Sequence, residues 1–219
     1  MIYWLSRLIA RFLFAAVLDV RVRGLGQIPN RGAAILVANH PCALDGYLLV
    51  SIVRRRFYCF NRAENFSNPI IGAYLRAAGA LPVKAGADNT ASLRRAERML
   101  RAGHLFTILP EGDVNPGPSP WPFKAGFLTL ALAVDAPVIP IAIVGSQAAL
   151  IEPRRPRTLR QCLPRPATIY VDVLAPMRFE HPRADRELFN AHLARVRDAI
   201  AERVRVLSAG GNEQEEATP

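Results

Sequence analysis

Ala33-Ala34-Ile35-Leu36-Val37-Ala38-Asn39-His40-Pro41-Cys42-Ala43-Leu44-Asp45 is the stretch that decides how this chain folds. Residues 33–38 are an unbroken apolar run of strand length, the pattern of a strand covered on both faces. A helix is expected over 41–54, because proline suits the first helical position and the residue before it avoids helical dihedrals. A buried strand feeding straight into a helix is the unit of an α/β fold, and sites in such folds gather at strand carboxyl ends. His40 falls at that turn, outside the helix, where its ring can fold back on Asp45. A histidine paired with a carboxylate can act as a general base with its orienting group. The same pair also occurs as a plain structural contact, so the rest of the chain must decide.

Outward from this stretch the pattern repeats. Strands are expected at 19–23, 57–60, 79–83, 104–109, 137–144 and 167–174. Helices are expected at 68–77, 90–102 and 123–134, and from 185, where Phe189, Leu193, Val196, Ile200, Val204 and Leu207 keep helical spacing. The alternation predicts a single α/β domain over 21–207 with a mixed, mostly buried sheet flanked by helices. Residues 208–219 are small and acidic, and are expected to form a disordered tail.

Residues 1–20 form a separate segment, an apolar run with Tyr3 and Trp4 at its start and Arg7 and Arg11 inside it. A secretory signal would carry its charges before the apolar run. A spanning helix would put Arg11 near the bilayer centre at about 2.5–3.5 kcal/mol. An amphipathic helix lying on the membrane avoids that cost, with aromatics among headgroups and arginines on phosphates. Packing against the protein's own core is the competing reading.

The net charge is +10, with 28 Lys plus Arg against 18 Asp plus Glu. That balance suits an anionic partner. Lysine occurs only at Lys84 and Lys124. Cys42, Cys59 and Cys162 follow no disulfide or metal spacing, which points to a reducing compartment. His104, His181 and His192 are likewise not spaced as metal ligands, and His192 is expected on the exposed side of the last helix. Cys42 reads better as a small packed residue than as a nucleophile. The arginines of 154–165 offer a basic loop for an anionic lipid or a nucleotide phosphate. Leu128, Leu130 and Leu132 read as core positions, with an acyl tunnel as the alternative.

A second cluster shifts the balance. Pro110-Glu111-Gly112 follows the apolar run 106–109, so a carboxylate stands at another strand end with a glycine allowing close backbone approach. Lys124 and the proline-flanked run 137–141 come later. Taken in order, Asn39-His40 with Asp45, Arg62-Ala63-Glu64 through Pro82-Val83, Pro110-Glu111-Gly112, and Pro137 to Ile141 resemble the glycerolipid acyltransferase family, of which lysophosphatidate acyltransferase is the familiar member. The likeness covers about residues 20–175.

The resemblance implies that His40, oriented by Asp45, deprotonates an acceptor hydroxyl that attacks an acyl thioester without an acyl-enzyme. It implies acyl-CoA or acyl-carrier protein as co-substrate, with no cofactor or metal. It implies a lysophospholipid-like acceptor held by Asn39, Arg62, Glu64, Lys84, Pro110, Glu111, Gly112 and Lys124. The expected location is the cytoplasmic face of the cell membrane, held peripherally. The expected partners are the thioester donor, the lipid-like acceptor and the membrane surface, without nucleic acid.

Two departures bear on the acceptor. Where the family commonly carries an arginine after the Pro-Val pair, this chain has Lys84-Ala85. Where Pro-Glu-Gly usually continues Thr-Arg-Ser, it has Asp113-Val114-Asn115. Those arginines are linked with the acceptor phosphate, so a non-phosphate acceptor is an alternative. A lipid ester or thioester hydrolase is another, although no Gly-x-Ser-x-Gly elbow is present. A non-catalytic basic lipid-binding protein would explain the charge and the first helix but not the ordered motifs.

Overall fold

The computed structural model describes residues 2–150, 164–180 and 185–215. Arg154, Arg155, Arg157, Arg160, Cys162 and His181 lie outside the described residues. Helix α1 (Ile2–Val17) leads into β1 (Leu18–Arg23), then β2 (Ala34–Ala38), α2 (Asp45–Ile52) and β3 (Phe57–Arg62). A short 3-10 turn (Ala63–Phe66) precedes α3 (Pro69–Ala78), β4 (Ala80–Val83), α4 (Thr90–Arg101) and β5 (Leu105–Ile108). The described chain continues through α5 (Gly126–Val134), β6 (Val138–Val144), α6 (Ser146–Ala149), β7 (Ala167–Val173) and α7 (Arg186–Glu215).

The strands form one sheet in the order β1-β7-β6-β2-β5-β3-β4. β6 and β7 are antiparallel, with Ile141 opposite Val173, and the other neighbours run parallel. The mixed, buried sheet expected from the sequence is therefore the observed one. Its centre is β2, whose five residues are all buried. Side chains alternate across the pleat. Ala34, Leu36 and Ala38 join Ile139 and Ile141 beneath α1 and α2, whereas Ile35 and Val37 join Phe106 and Val138 beneath α4, α5 and α7. Strands covered on both faces cannot alternate apolar with polar, which is why these read as solid apolar runs.

Local signals set several boundaries. Asn68 caps α3, its Oδ1 accepting from the Ile70 and Ile71 amides at 3.0 and 3.1 Å, with Pro69 next in line. Gly79 ends that helix at φ +100°.

Three expected element boundaries need correction. The helix expected from Pro41 starts at Asp45. Residues 41–44 instead turn around the buried Asp45 carboxylate, which accepts the Cys42 amide at 2.8 Å, while Asp45 N–H donates to Cys42 O at 3.0 Å. Helix α5 begins at Gly126 rather than 123, and the residues before it are drawn to the β5 end, where Lys124 N–H donates to Pro110 O at 2.9 Å. Helix α7 runs on to Glu215, through the residues expected to form a tail. Glycine costs a helix about 1 kcal/mol each, which a long helix anchored by Val196, Ile200 and Val204 can bear.

Helix α1 combines two of the readings offered by its sequence. Tyr3, Ala10 and Phe14 are buried against the core, and Trp4, Leu5, Leu8, Ile9, Phe12 and Leu13 are exposed, Phe12 at 70%. Arg7 occupies the inward stripe, at helical spacing from Tyr3, Ala10 and Phe14. Its Nη1 donates to Arg54 O at 3.0 Å, and its guanidinium lies 5.6 Å from the Trp4 ring. It is thus turned to the protein rather than outward as expected, since the backbone carbonyl offers a fixed acceptor within reach. Among the described residues no helix is long and apolar enough to cross a membrane. Leu128 and Leu130 are core residues, and Leu132 packs partly against them. His192 is half-buried rather than solvated, its ring 4.9 Å from that of Phe179.

Candidate active site

The parallel set β2-β5-β3-β4 brings four carboxyl ends to one edge of the sheet. His40 follows β2, Glu111 follows β5, Arg62 closes β3 and Lys84 follows β4. On the other flank of β2, parallel β6 ends just before Ser146. One sheet edge therefore carries residues that are far apart in sequence.

Asn39 fixes the end of β2. Its Nδ2 donates to Ile143 O and its Oδ1 accepts from Ile143 N–H, both at 2.8 Å. Both ends of the amide are engaged on β6, so Asn39 positions the next residue. His40 Nδ1 lies 2.9 Å from Asp45 Oδ2. The carboxylate selects the tautomer with hydrogen on Nδ1, which leaves Nε2 with a lone pair. The His40 side chain is 16% exposed, and Asp45 is wholly buried. Among the described residues Nε2 has no hydrogen-bond partner.

Burial pushes the Asp45 carboxyl above the ordinary aspartate range, against the opposing pull of His40, the Ser146 hydroxyl and the Cys42 amide. Asp45 Oδ1 and Ser146 Oγ are both buried, and among the described residues neither reaches a partner at full hydrogen-bond geometry, so the hydroxyl acts on the carboxyl as a nearby dipole. The oxygen used twice is Oδ2, shared by the His40 ring and the Cys42 amide. Cys42 itself is 1% exposed, a small packed residue.

Glu111 is the second anchor. It is 6% exposed and surrounded by N–H donors. Oε1 accepts the His40 backbone N–H at 2.9 Å, and Oε2 accepts from Asn115 Nδ2 at 2.6 Å and from Trp121 N–H at 2.9 Å. Three donors offset the cost of burying a carboxylate. Asn115 closes the ring, because its own N–H donates to His40 O at 2.8 Å and its Nδ2 also reaches Ser119 O at 2.9 Å. Sequence reasoning assigned Asn115 no part.

Gly112 adopts φ +77°, and a Cβ there would stand 2.1 Å from Lys124 Nζ. The lysine side chain lies over the glycine, as Pro110 O holds the Lys124 backbone. Arg62 forms an ion pair with Asp113. Lys84 is exposed at the far strand, about 14 Å from β2 at three strand spacings. Its backbone, rather than its side chain, is what Asn89 binds, at 2.9 Å in each direction. Glu64 is exposed on the 3-10 turn. The structure thus gathers His40, Asp45, Glu111, Gly112 and Lys124, adds Arg62 through Asp113, and leaves Lys84 and Glu64 at the periphery.

The chain itself is similar to known sequences. The Acyltransferase family model matches residues 19–144. This chain belongs to the acyltransferase family. The matched region runs from Asp19 in β1 to the end of β6 and includes His40, Asp45 and Glu111. Among individual relatives of this acyltransferase-family chain, an uncharacterized protein of Mycobacterium tuberculosis is 31% identical over 159 residues, covering 64% of this chain and 41% of its own length. The 1-acyl-sn-glycerol-3-phosphate acyltransferase of Bacillus subtilis is 26% identical over 127 residues, covering 58% of this chain and 63% of the relative. The chain spans about two fifths of the length of the mycobacterial relatives it matches. The crystal structure of the 1-acyl-sn-glycerophosphate acyltransferase PlsC from Thermotoga maritima shares the fold. It has a TM-score of 0.72 at 24% identity, over 95% of this chain and 78% of that one.

Proposed function

We propose that this chain is an acyltransferase that moves a fatty acyl group from an acyl-CoA or acyl-carrier-protein thioester to a hydroxyl of a lysophospholipid-like acceptor. The observation that carries this reading is the His40–Asp45 pair, with Nδ1 held at 2.9 Å by a wholly buried carboxylate and Nε2, at the sheet edge, without a hydrogen-bond partner among the described residues.

In this reading His40 Nε2 takes the hydroxyl proton as the oxygen attacks the thioester carbonyl. Asp45 stabilises the imidazolium that forms. The tetrahedral intermediate collapses by breaking the C–S bond, and the departing thiolate takes the proton back from Nε2. The products are the acyl ester and a free thiol, with His40 restored. Glu111 acts on this chemistry through the backbone, holding the histidine at a fixed height above the strand end. Membrane attachment is part of the same reading. The exposed Trp4, Leu8, Ile9 and Phe12 of α1 support peripheral docking on a membrane surface, and the proposed side is the cytoplasmic face.

The test is incubation with labelled acyl-CoA or acyl-carrier protein and a total lipid extract, with mass spectrometry of the products. Acylated lysolipid is expected. His40→Ala should lower transfer about 10²–10⁴-fold with unchanged folding and vesicle binding. Undiminished transfer by that variant overturns the reading. Thioester loss without any acylated acceptor would point to hydrolysis instead.

A further inference from the structure

The mouth of the site carries an internal charge pair at a position where the family pattern differs. Arg62 closes β3, Asp113 follows Gly112, and their side chains pair while remaining 54% and 58% exposed. Desolvation pushes the Asp113 carboxyl up. The Val114 amide, donating at 2.8 Å, and the Arg62 guanidinium together outweigh it, with His40 adding to the same effect, and hold the carboxyl below the ordinary range. Asp113 is therefore anionic throughout the neutral range. Arg62, the guanidinium at this mouth, is engaged by a carboxylate of the chain itself. The cation left beside Gly112 is Lys124, which among the described residues has no ion-pair partner.

A phosphate monoester carries about −1.5 to −2 charges at pH 7, whereas a phosphodiester carries one. The planar fork of arginine is the group best suited to a monoester's several oxygens, and lysine acts as a single point charge. We propose that the Arg62–Asp113 pair makes the acceptor site selective for lysolipids whose head is a singly charged phosphodiester, over those ending in a phosphate monoester. Lys124 meets the one charge. Asp113 both occupies Arg62 and repels a second charge. The proposal rests on the acyl-transfer reading above.

The test compares kcat/KM for 1-acylglycerol-3-phosphate and for 1-acylglycerophosphoglycerol of the same acyl chain, in wild type, Asp113→Asn, and Asp113→Asn with Arg62→Gln. Both side chains are exposed, so equal melting temperatures should accompany these changes. Wild type should favour the diester. Asp113→Asn should move the ratio toward the monoester by on the order of tenfold, the worth of one charge-assisted contact, and the added Arg62→Gln should cancel that shift. A wild type that prefers the monoester, or a ratio unmoved by Asp113→Asn, overturns this inference and leaves acyl transfer standing. Absence of transfer to either acceptor and to every lipid of the extract overturns both.

Discussion

Glu111 Oε1 accepts the backbone N–H of His40 at 2.9 Å, so two residues from separate strand ends share one hydrogen-bonded centre. The carboxylate does not touch the imidazole. It acts on the peptide unit that carries it, while Asn115 returns a bond to the carbonyl of the same histidine at 2.8 Å. His40 is thereby held from three sides: Asp45 on the ring, Glu111 on the amide and Asn115 on the carbonyl.

Removing Glu111 should cost both stability and rate. Glu111→Ala strands the His40 and Trp121 amides and one side-chain donor of Asn115, in a site where the native carboxylate is 6% exposed. At about 1–3 kcal/mol for each unsatisfied buried group, the variant should unfold at clearly lower denaturant concentration and show a lower kcat. Glu111→Gln keeps the shape and one accepting oxygen, so its loss should be smaller on both counts. Equal stability of the two variants in denaturant titrations would contradict this accounting.

Asp45→Asn should separate stability from activity. The amide oxygen can replace Oδ2 for both the His40 ring and the Cys42 amide, and its NH2 can reach the unpaired Ser146 hydroxyl. Burial raises the wild-type carboxyl in the folded state. The native state then binds more protons than the unfolded chain between the ordinary aspartate value and the raised one, so stability falls as pH rises through that window. The penalty is absent below the unfolded value and complete above the folded one. Asp45→Asn should therefore melt at or above the wild-type temperature at neutral pH, with its advantage shrinking toward acid. Activity should drop about 10²–10⁴-fold because the imidazolium loses its counter-charge. A variant that melts below wild type at every pH would refute the argument.

The sheet and its centre were legible because apolar runs such as residues 33–38 have no other stable placement than a covered strand. His40 and Glu111 were legible as polar residues just past strand ends, and Asp45 as the carboxylate within reach of His40, which is where the structure places them. Three things were not. The start of α2 depends on the Asp45 carboxylate gathering the 41–44 turn, a tertiary effect that overrides the local preference of Pro41 for a helix start. Asn115 has no local signature, because its role exists only when β2 and β5 lie side by side. The direction of Arg7 was hidden because a charged residue on an inward stripe is satisfied by a carbonyl 47 positions away.

Gly112→Ala should destabilise the fold by about 1–2 kcal/mol, the cost of placing a side chain in the left-handed region. It should also displace Lys124, whose Nζ would lie 2.1 Å from the new methyl group. Adding Lys124→Ala relieves the clash but not the backbone strain, so the double variant should recover only part of the lost stability. Denaturant midpoints of the two variants measure the division. An unchanged midpoint for Gly112→Ala would rule out the strain.

The outer face of α1 should govern membrane attachment without governing the fold. Phe12 is 70% exposed and Leu8 53% exposed, so Phe12→Glu with Leu8→Glu removes little buried surface and should leave the melting temperature near that of wild type. On the proposed docking, each substitution would remove an apolar contact with the bilayer and add a charge repelled by anionic headgroups. Sedimentation with vesicles rich in phosphatidylglycerol should show wild type bound and the double variant largely free. Phe14→Glu behaves differently, because Phe14 is buried in the cluster shared with α2 and β2, and it should unfold the helix from the sheet. Vesicle binding that survives Phe12→Glu with Leu8→Glu would assign attachment to another surface of the molecule.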